Sequence, residues 1–332
     1  MTIISGTCGW SYQEWVGAFY PNNRVAKLPF YSRVFNSVEV DSSFYRAPSK
    51  LMVAGWIRAT GADFKFSLKI PQTVTHDKRL EGVEKEFLDF VDLVEPIART
   101  GKLGCLLLQL PPDFMFKERD SLESFFNLLP KDIHVAVEFC HESWNRKQTW
   151  DLLEKYGVAN TVTDSPIEFL ARSVVTATTH SYVRWHGRGK SLWYDYTYSE
   201  QELRPWLAKL QFMEEKVPVV YAYFNNHYRA DAPTNLLQLL EMRGEITDAQ
   251  KKVKARRERY ERKNTIRKMT DYYLFSEDSH EQRLGPMHAR DRKAPGDYHW
   301  TIKLIQERQK VWIVKYRKAA QRCPHHHKVG LE

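Results

Sequence analysis

The stretch Gly104-Cys105-Leu106-Leu107-Leu108-Gln109 is a compact apolar run that closes on a polar residue, and it is one of eight built this way. Ile3–Thr7 ends in Cys8-Gly9-Trp10, and Ser37–Val40 carries Glu39 and ends in Asp41-Ser42-Ser43-Phe44-Tyr45. Phe64–Leu68 ends in Lys69, His134–Val137 in Glu138, and Ala159–Thr163 in Asp164. Ser181–Trp185 includes Arg184 and ends in His186-Gly187, and Val219–Phe224 ends in Asn225-Asn226-His227. Short apolar runs of this composition read as buried strands. In a (β/α)8 barrel the strand C-termini and the loops after them form the active-site face.

The segments between the runs read as helices. Val25–Phe35, Lys50–Ala59 with Ser49 as N-cap, and Gly82–Ala98 with Val83, Phe87, Phe90, Val91 and Val94 at helical spacing follow the first three runs. A helix opening at Asp120 or Ser121 closes at Pro130, and Ser143–Tyr156 stops at Gly157. The connection after Asp164 leaves room for one or two turns. Ser199 and Glu202 form a capping box for Glu200–Lys216, and Pro233 or Thr234 starts the last barrel helix. Strands alternating with helices imply parallel strands joined by right-handed crossovers. The fold class is therefore α/β: a TIM-like (β/α)8 barrel over residues 1–242, with an added, mostly helical C-terminal extension over residues 243–332. No GxGxxG follows the first run, which removes support for an open dinucleotide-binding sheet.

Charge divides the chain at the same place. Residues 241–332 hold 23 Lys+Arg and 13 Asp+Glu, a net +10, which leaves 27 and 28, a net −1, for residues 1–240. Thr247–Lys268 is charge-dense and helical in pattern, and Lys251, Lys252, Arg256, Arg257, Arg262 and Lys263 make it a nucleic-acid-binding candidate, DNA ahead of RNA. A solvated helical tail is the competing reading. Ser276–Asp297 reads as loop, His299–Gln321 as helix, and Cys323-Pro324-His325-His326-His327 as a disordered tail. The four cysteines have no CxxC spacing, so a disulfide framework is not expected. No apolar run is long enough to span a bilayer and no signal-peptide pattern opens the chain, so no membrane association is expected and cytoplasmic residence is the default. The sequence leaves the oligomeric state open.

The polar strand ends nominate a site. Glu39, Glu138 and Asp164 are expected to converge on one pocket, where they would hold a metal, act as general acid and base, or pair with Lys69 and Arg184 to keep the mouth neutral. His186 and His227 would complete a nitrogen/oxygen metal site, donate to phosphate, or transfer protons. A divalent metal, Zn²⁺, Mn²⁺ or Mg²⁺, is thus a candidate cofactor. Lys69 is a candidate for phosphate neutralisation, Schiff-base chemistry or ion pairing. Arg184 suits bidentate phosphate or carboxylate binding, and its spacing from His186 puts both on one strand face. Gln109, Asn225 and Asn226 supply neutral donors and acceptors, and His76 lies in the loop after the third run. Trp10, Tyr12, Tyr45, Trp144 and Trp193 are candidates for an aromatic wall, or for core.

The same residues carry a resemblance. Gly6-Thr7-Cys8-Gly9-Trp10-Ser11-Tyr12 with Trp15 and Phe19-Tyr20-Pro21 resembles the opening of the domain of unknown function 72 (YecE-like) family. Further matches are Val38-Glu39 with Ser42–Tyr45, Lys69-Ile70-Pro71 with Thr75-His76, and Leu108-Gln109-Leu110-Pro111-Pro112. Val137-Glu138-Phe139 with Trp144, Arg184-Trp185-His186-Gly187 and Tyr221–His227 complete it, in order, over residues 3–240. The resemblance implies a TIM-like barrel whose reaction is not established, and which has been likened to metal-dependent apurinic endonucleases. Cys8 stands where the family usually has serine, and the basic extension lies outside the family pattern. The leading expectation is a hydrolase of phosphodiester bonds in damaged or single-stranded DNA. A sugar or sugar-phosphate isomerase or hydrolase, and a noncatalytic nucleic-acid-binding protein, are the alternatives.

Overall fold

The computed structural model describes residues 2–277, and of residues 266–277 the backbone alone. The expected helix His299–Gln321 and the tail from Cys323 lie outside the described residues, as does the expected loop beyond its first two residues. Eight parallel strands close into a barrel in chain order: β1 Thr2–Cys8, β2 Ser37–Val40, β3 Lys65–Lys69, β4 Leu103–Gln109, β5 His134–Glu138, β6 Ala159–Asp164, β7 His180–Trp185 and β8 Val219–Phe224. β8 returns to pair with β1, from Thr2↔Val219 to Thr7↔Phe224. The helices around it are α1 Lys27–Tyr31, α2 Lys50–Ala59, α3 Glu84–Arg99, α4 Arg119–Phe126, α5 Lys147–Tyr156, α6 Glu200–Glu214 and α7 Asp231–Met242. A further helix, α8 Asp248–Glu277, follows on the barrel wall. No helix among the described residues is long and apolar enough to cross a membrane.

The strand pleat divides the core in two, because successive side chains point to opposite faces. Val38, Val40, Phe66, Leu68, Leu106, Leu108, Val162, Val183, Trp185 and Phe224 face the helices and merge with their apolar stripes. Cys8, Cys105, Leu107, Ala136, Ala159, Tyr182, Tyr221 and Tyr223 fill the barrel itself. One polar cluster inside ties the barrel together: the Tyr223 hydroxyl lies 2.6 Å from Ser37 Oγ and 2.8 Å from Ser67 Oγ, joining three strands.

Caps behave as the sequence implies. Ser49 Oγ accepts from Met52 N, Ser199 and Glu202 form their capping box, and Gly157 ends α5 in the left-handed region at φ 64°. Two stretches differ from expectation. Helix α1 is a single α-helical turn and a half, after which Val34 and Phe35 both bond back to Tyr31 O and turn the chain into β2. The expected Ser143–Tyr156 helix is split, because Trp144 is buried and donates Nε1–H to Phe114 O at 2.8 Å, which pins a separate 3₁₀ turn ahead of α5. After β6 the chain makes the 3₁₀ turn Glu168–Ala171, in line with the one or two turns expected there.

Helix α8 climbs the outside of the barrel. Near its start Gln250 Nε2 donates to Val34 O, just before β2 begins, and Lys254 pairs with Glu241 at the end of α7. Farther along, Arg256 donates to Phe19 O at 3.0 Å, and Arg257 pairs with Asp231 at 3.2 Å and donates to Arg229 O. These later partners lie in the loops after β1 and β8, so the helix runs from the strand N-terminal end towards the strand C-terminal rim.

Within the barrel strands the backbone approaches closely at Gly6, where a Cβ would lie 2.0 Å from Ser37 O and 3.1 Å from the Tyr31 hydroxyl. Gly6→Ala should lower stability by on the order of 3 kcal/mol, because the obstacle is backbone and cannot rotate away. Gly61→Ala, which meets nothing within 4 Å, should leave the urea midpoint unchanged, and the two midpoints measured side by side check the difference.

Candidate functional site

The pleat that fills the barrel also aims the last inward residue of each strand into its C-terminal mouth. Cys8, Lys69, Gln109 and Glu138 close their strands, Glu39 and Arg184 stand one residue before the ends of theirs, and all six are buried. His186 follows β7 and Asn225 follows β8 in the same phase, with 7% and 8% exposure. Seven of the residues expected in the site therefore do meet: Glu39, Lys69, Gln109, Glu138, Arg184, His186 and Asn225.

Arg184 is the hub. Its Nη2 donates to Glu39 Oε1 at 2.7 Å and its Nη1 to Glu138 Oε2 at 2.9 Å. All three side chains are at most 1% exposed. Tyr182 donates its hydroxyl to Glu39 Oε2 at 2.7 Å, and Glu138 Oε1 accepts from Gln109 Nε2 and from His186 Nε2, the latter at 3.1 Å. Burial alone would raise the Glu138 carboxyl, but Arg184 and His186 outweigh it and hold the group well below the usual carboxylate range. Conversely the two glutamates keep the buried guanidinium well above its ordinary value against desolvation. An ionised Glu138 only accepts, so His186 Nε2 carries the proton and Nδ1 accepts from Asn225 Nδ2 at 2.9 Å.

A second couple lies nearer the opening. Lys69 Nζ is 3.0 Å from Asp41 Oδ1 and 4.3 Å from the Phe44 ring centroid. Burial pushes the Asp41 carboxyl up, but Lys69 and Arg184 more than reverse it and leave the group below its ordinary value. Asp41 was not among the residues nominated from sequence, although its place at the tip of β2 in the Asp41–Tyr45 turn was the available signal. Thr161 and Thr163 were also missed. Val162 packs outward, so the pleat turns both threonines inward, where their hydroxyls have no partner among the described residues. Arg184 Nε and Asn225 Oδ1 are likewise buried without one. Burial, followed by Glu39, pushes the Cys8 thiol well up, so it is a neutral thiol 3.7 Å from Arg184 Nη2 rather than a nucleophile.

One side of the mouth is aromatic. The His227 ring is stacked between Tyr12, at 4.6 Å and 13°, and Tyr194, at 4.9 Å and 16°, and Tyr228 extends the stack. Desolvation lowers the His227 imidazole to about 4. Tyr45 and His76 both pack edge-on against Phe44, at 5.1 and 4.9 Å, so they belong to the Lys69 side. The loop holding His227 places Arg229 and Ala230 at φ 50° and 63°, a left-handed pair without glycine that costs on the order of 1–3 kcal/mol per residue.

Several nominated residues stand elsewhere. Asp164 does not converge with Glu39 and Glu138: it is one position out of phase, faces the helices, and binds Arg188 Nε and Nη2 at 2.8 and 2.7 Å, Tyr198 at 2.9 Å and Trp206 Nε1 at 3.0 Å. Asn226 faces Tyr196 O and Asn235 and braces a loop. Trp10 packs edge-on against Trp56 of α2 at 5.8 Å, and Trp144 stacks on Phe139 in the core. A divalent metal was one candidate for the site; among the described residues no group of three or more His, Cys, Asp and Glu side chains is arranged to hold an ion. The inward lone pairs of Glu39 and Glu138 are taken by Arg184.

Two measurements follow from this burial. Arg184→Leu should cost about 3–5 kcal/mol in denaturant unfolding, because it leaves two buried carboxylates uncompensated. Arg184→Lys should recover little, since one ammonium cannot span both partners. Stability should also fall as pH drops from about 6.5 towards 4. His227 (about 4) and His180 (about 3) titrate below their ordinary 6.5 when folded, so the unfolded chain binds more protons in that window. His227→Gln should flatten the slope, and an unchanged slope would refute the assignment.

Comparison with known proteins supplies the context for this geometry. The family model described as protein of unknown function DUF72 matches residues 4–259. The UPF0759 protein YunF of Bacillus subtilis is 30% identical over 268 residues, covering 72% of this chain and 94% of that protein. The UPF0759 protein YecE of Escherichia coli is 27% identical over 246 residues, covering 67% and 86%. A crystal structure of a DUF72 family protein from Thermotoga maritima superposes with a TM-score of 0.67 at 32% identity, covering 74% of this chain and all of the other. One from Enterococcus faecalis, at 22% identity and a TM-score of 0.64, shares the fold. The barrel, with the mouth at its centre, belongs to the DUF72 family, whose function is unknown.

Proposed function

We propose that the protein is an enzyme that performs acid–base chemistry on a small, polyhydroxylated, sugar-like substrate at the barrel mouth. One observation carries this reading: both mouth cations are already neutralised. Arg184 is shared by Glu39 and Glu138, and Lys69 is held by Asp41. Three carboxylates against two cations leave no surplus positive charge to receive a phosphodiester. Carboxylates beside stacked aromatic rings suit hydroxyl groups and the apolar face of a sugar.

In this reading Asp41 and His186 are the groups nearest the opening that can exchange a proton with a substrate hydroxyl. Glu138 fixes the His186 tautomer, and Asn225 donates its amide to the other ring nitrogen. Thr161 and Thr163 offer unpaired hydroxyls, and the Tyr12–His227–Tyr194 stack lends the mouth an aromatic side. Isomerisation and hydrolysis both fit these roles.

The more specific expectation, a phosphodiesterase acting on damaged or single-stranded DNA, draws less support from the mouth, where Arg184 and Lys69 were to contact phosphate. A panel separates the two. Aldoses, ketoses and aryl glycosides should be turned over with no effect of EDTA, and Glu138→Gln should reduce the rate about 100-fold or more. EDTA-sensitive cleavage of lesion-bearing oligonucleotides, with every sugar inert, would replace this proposal with the nuclease.

A further inference from the structure

Outside the mouth, the strongest unexplained feature is the exposed side of α8. Its inner side is a docking stripe: Gln250, Val253, Arg256, Arg257 and Tyr260 face the barrel. The Tyr260 ring sits so close to Gly17, at φ 86°, that a Cβ there would be 2.7 Å from it. Arg256 and Arg257, nominated from sequence as nucleic-acid contacts, are thus anchors, and Lys251 pairs with Asp248 at 3.2 Å. What remains is Lys252, Arg259, Arg262 and Lys263. All four are exposed, and no carboxylate pairs with them among the described residues. Lys252, Arg259 and Lys263 are spaced i, i+7 and i+11 and so share one face, with Arg262 beside it.

We propose that this cationic edge binds the backbone of a single-stranded nucleic acid and holds it beside the mouth. Position supports the second half. Arg259, Arg262 and Lys263 flank Tyr260, which touches the loop after β1 that carries Tyr12 and Trp15, and Arg257 one turn earlier ties down the strained Arg229-Ala230 pair beside His227 and Tyr228. The two loops that α8 clamps are two of the three that build the aromatic wall, Tyr194 coming from the loop after β7. A strand lying on the edge therefore runs towards the half-buried rings of Tyr12 and Tyr228, a cationic track beside aromatic rings of the kind that single-strand binders use. The mouth itself carries no excess positive charge, so the edge supplies the phosphate contacts the mouth lacks.

The test uses the full chain and does not depend on turnover, so it fails or succeeds separately from the sugar reading. Fluorescence anisotropy with an oligothymidylate of about 20 nucleotides at about 50 mM salt should show binding. The triple variant Arg259→Gln/Arg262→Gln/Lys263→Gln should bind at least tenfold more weakly, with the slope of log affinity against log salt reduced by roughly 2. A control, Lys85→Gln/Lys147→Gln/Lys155→Gln, removes the same charge from exposed positions on α3 and α5 and should bind normally. Bromodeoxyuridine in the oligonucleotide should crosslink to residues 10–20 or 227–231. Absent binding, an equal loss in the control, crosslinks in neither loop, or preference for anionic phospholipid vesicles over the oligonucleotide would each overturn the proposal.

Discussion

One guanidinium holds the site together. Arg184 is drawn into a barrel where almost nothing else is solvated, and it remains there because Glu39 and Glu138 arrive from β2 and β5 to meet its two Nη atoms. Each partner would be prohibitively costly alone at this depth. Together they fix the positions of three strands relative to one another, and everything nearer the opening is referred to them: Gln109 and His186 through Glu138, Tyr182 through Glu39, and Asp41 at 3.8 Å from Nη2. The arrangement is rigid because its charges are mutual. It is also unsuited to grasping an anion, since its cations are already satisfied.

The fold was legible because strand and helix periods differ and the runs were clean. In β7 and β8 the apolar outward positions alternate with Tyr182, Arg184, Tyr221 and Tyr223 inside, whereas β4 reads as the unbroken apolar run Leu106-Leu107-Leu108 closed by Gln109. The strand-tip residues Glu39, Lys69, Gln109, Glu138 and Arg184 could be nominated by position alone. Asp164 shows where position stops sufficing. It closes β6, but one step out of phase with Thr161 and Thr163, and Trp206, Tyr198 and Arg188 give its carboxylate a complete set of donors on the helix side. Counting to the end of a run does not reveal which face the last residue takes. A pleat parity carried from Val162 would have.

Other gaps have similar causes. Asp41 lies just past a strand, in a turn whose geometry follows from Ser43 bonding Val40 O and Lys69 O. No short-range pattern shows that contact between two loops. The roles of Arg256 and Arg257 were hidden because a charge run looks the same whether it is solvated or docked. Only the partners Phe19 O, Arg229 O and Asp231, more than twenty residues away in sequence, separate the two. Composition located the basic segment correctly, but could not say which of its charges are spent on the barrel.

A barrel of this kind has one seam, between β8 and β1, that no strand–helix–strand crossover spans. Helix α8 lies across it: Gln250 and Tyr260 reach back to the first unit at Val34 and Gly17, while Arg257 holds the last unit at Arg229 and Asp231. The helix is therefore a latch on the ring. During synthesis the circle of strands can be complete by Phe224, yet its two ends gain this clasp only once residues near 260 have left the ribosome. Local opening in the finished protein should accordingly start at the seam, the boundary shared by Tyr12 and His227, whenever the latch lifts.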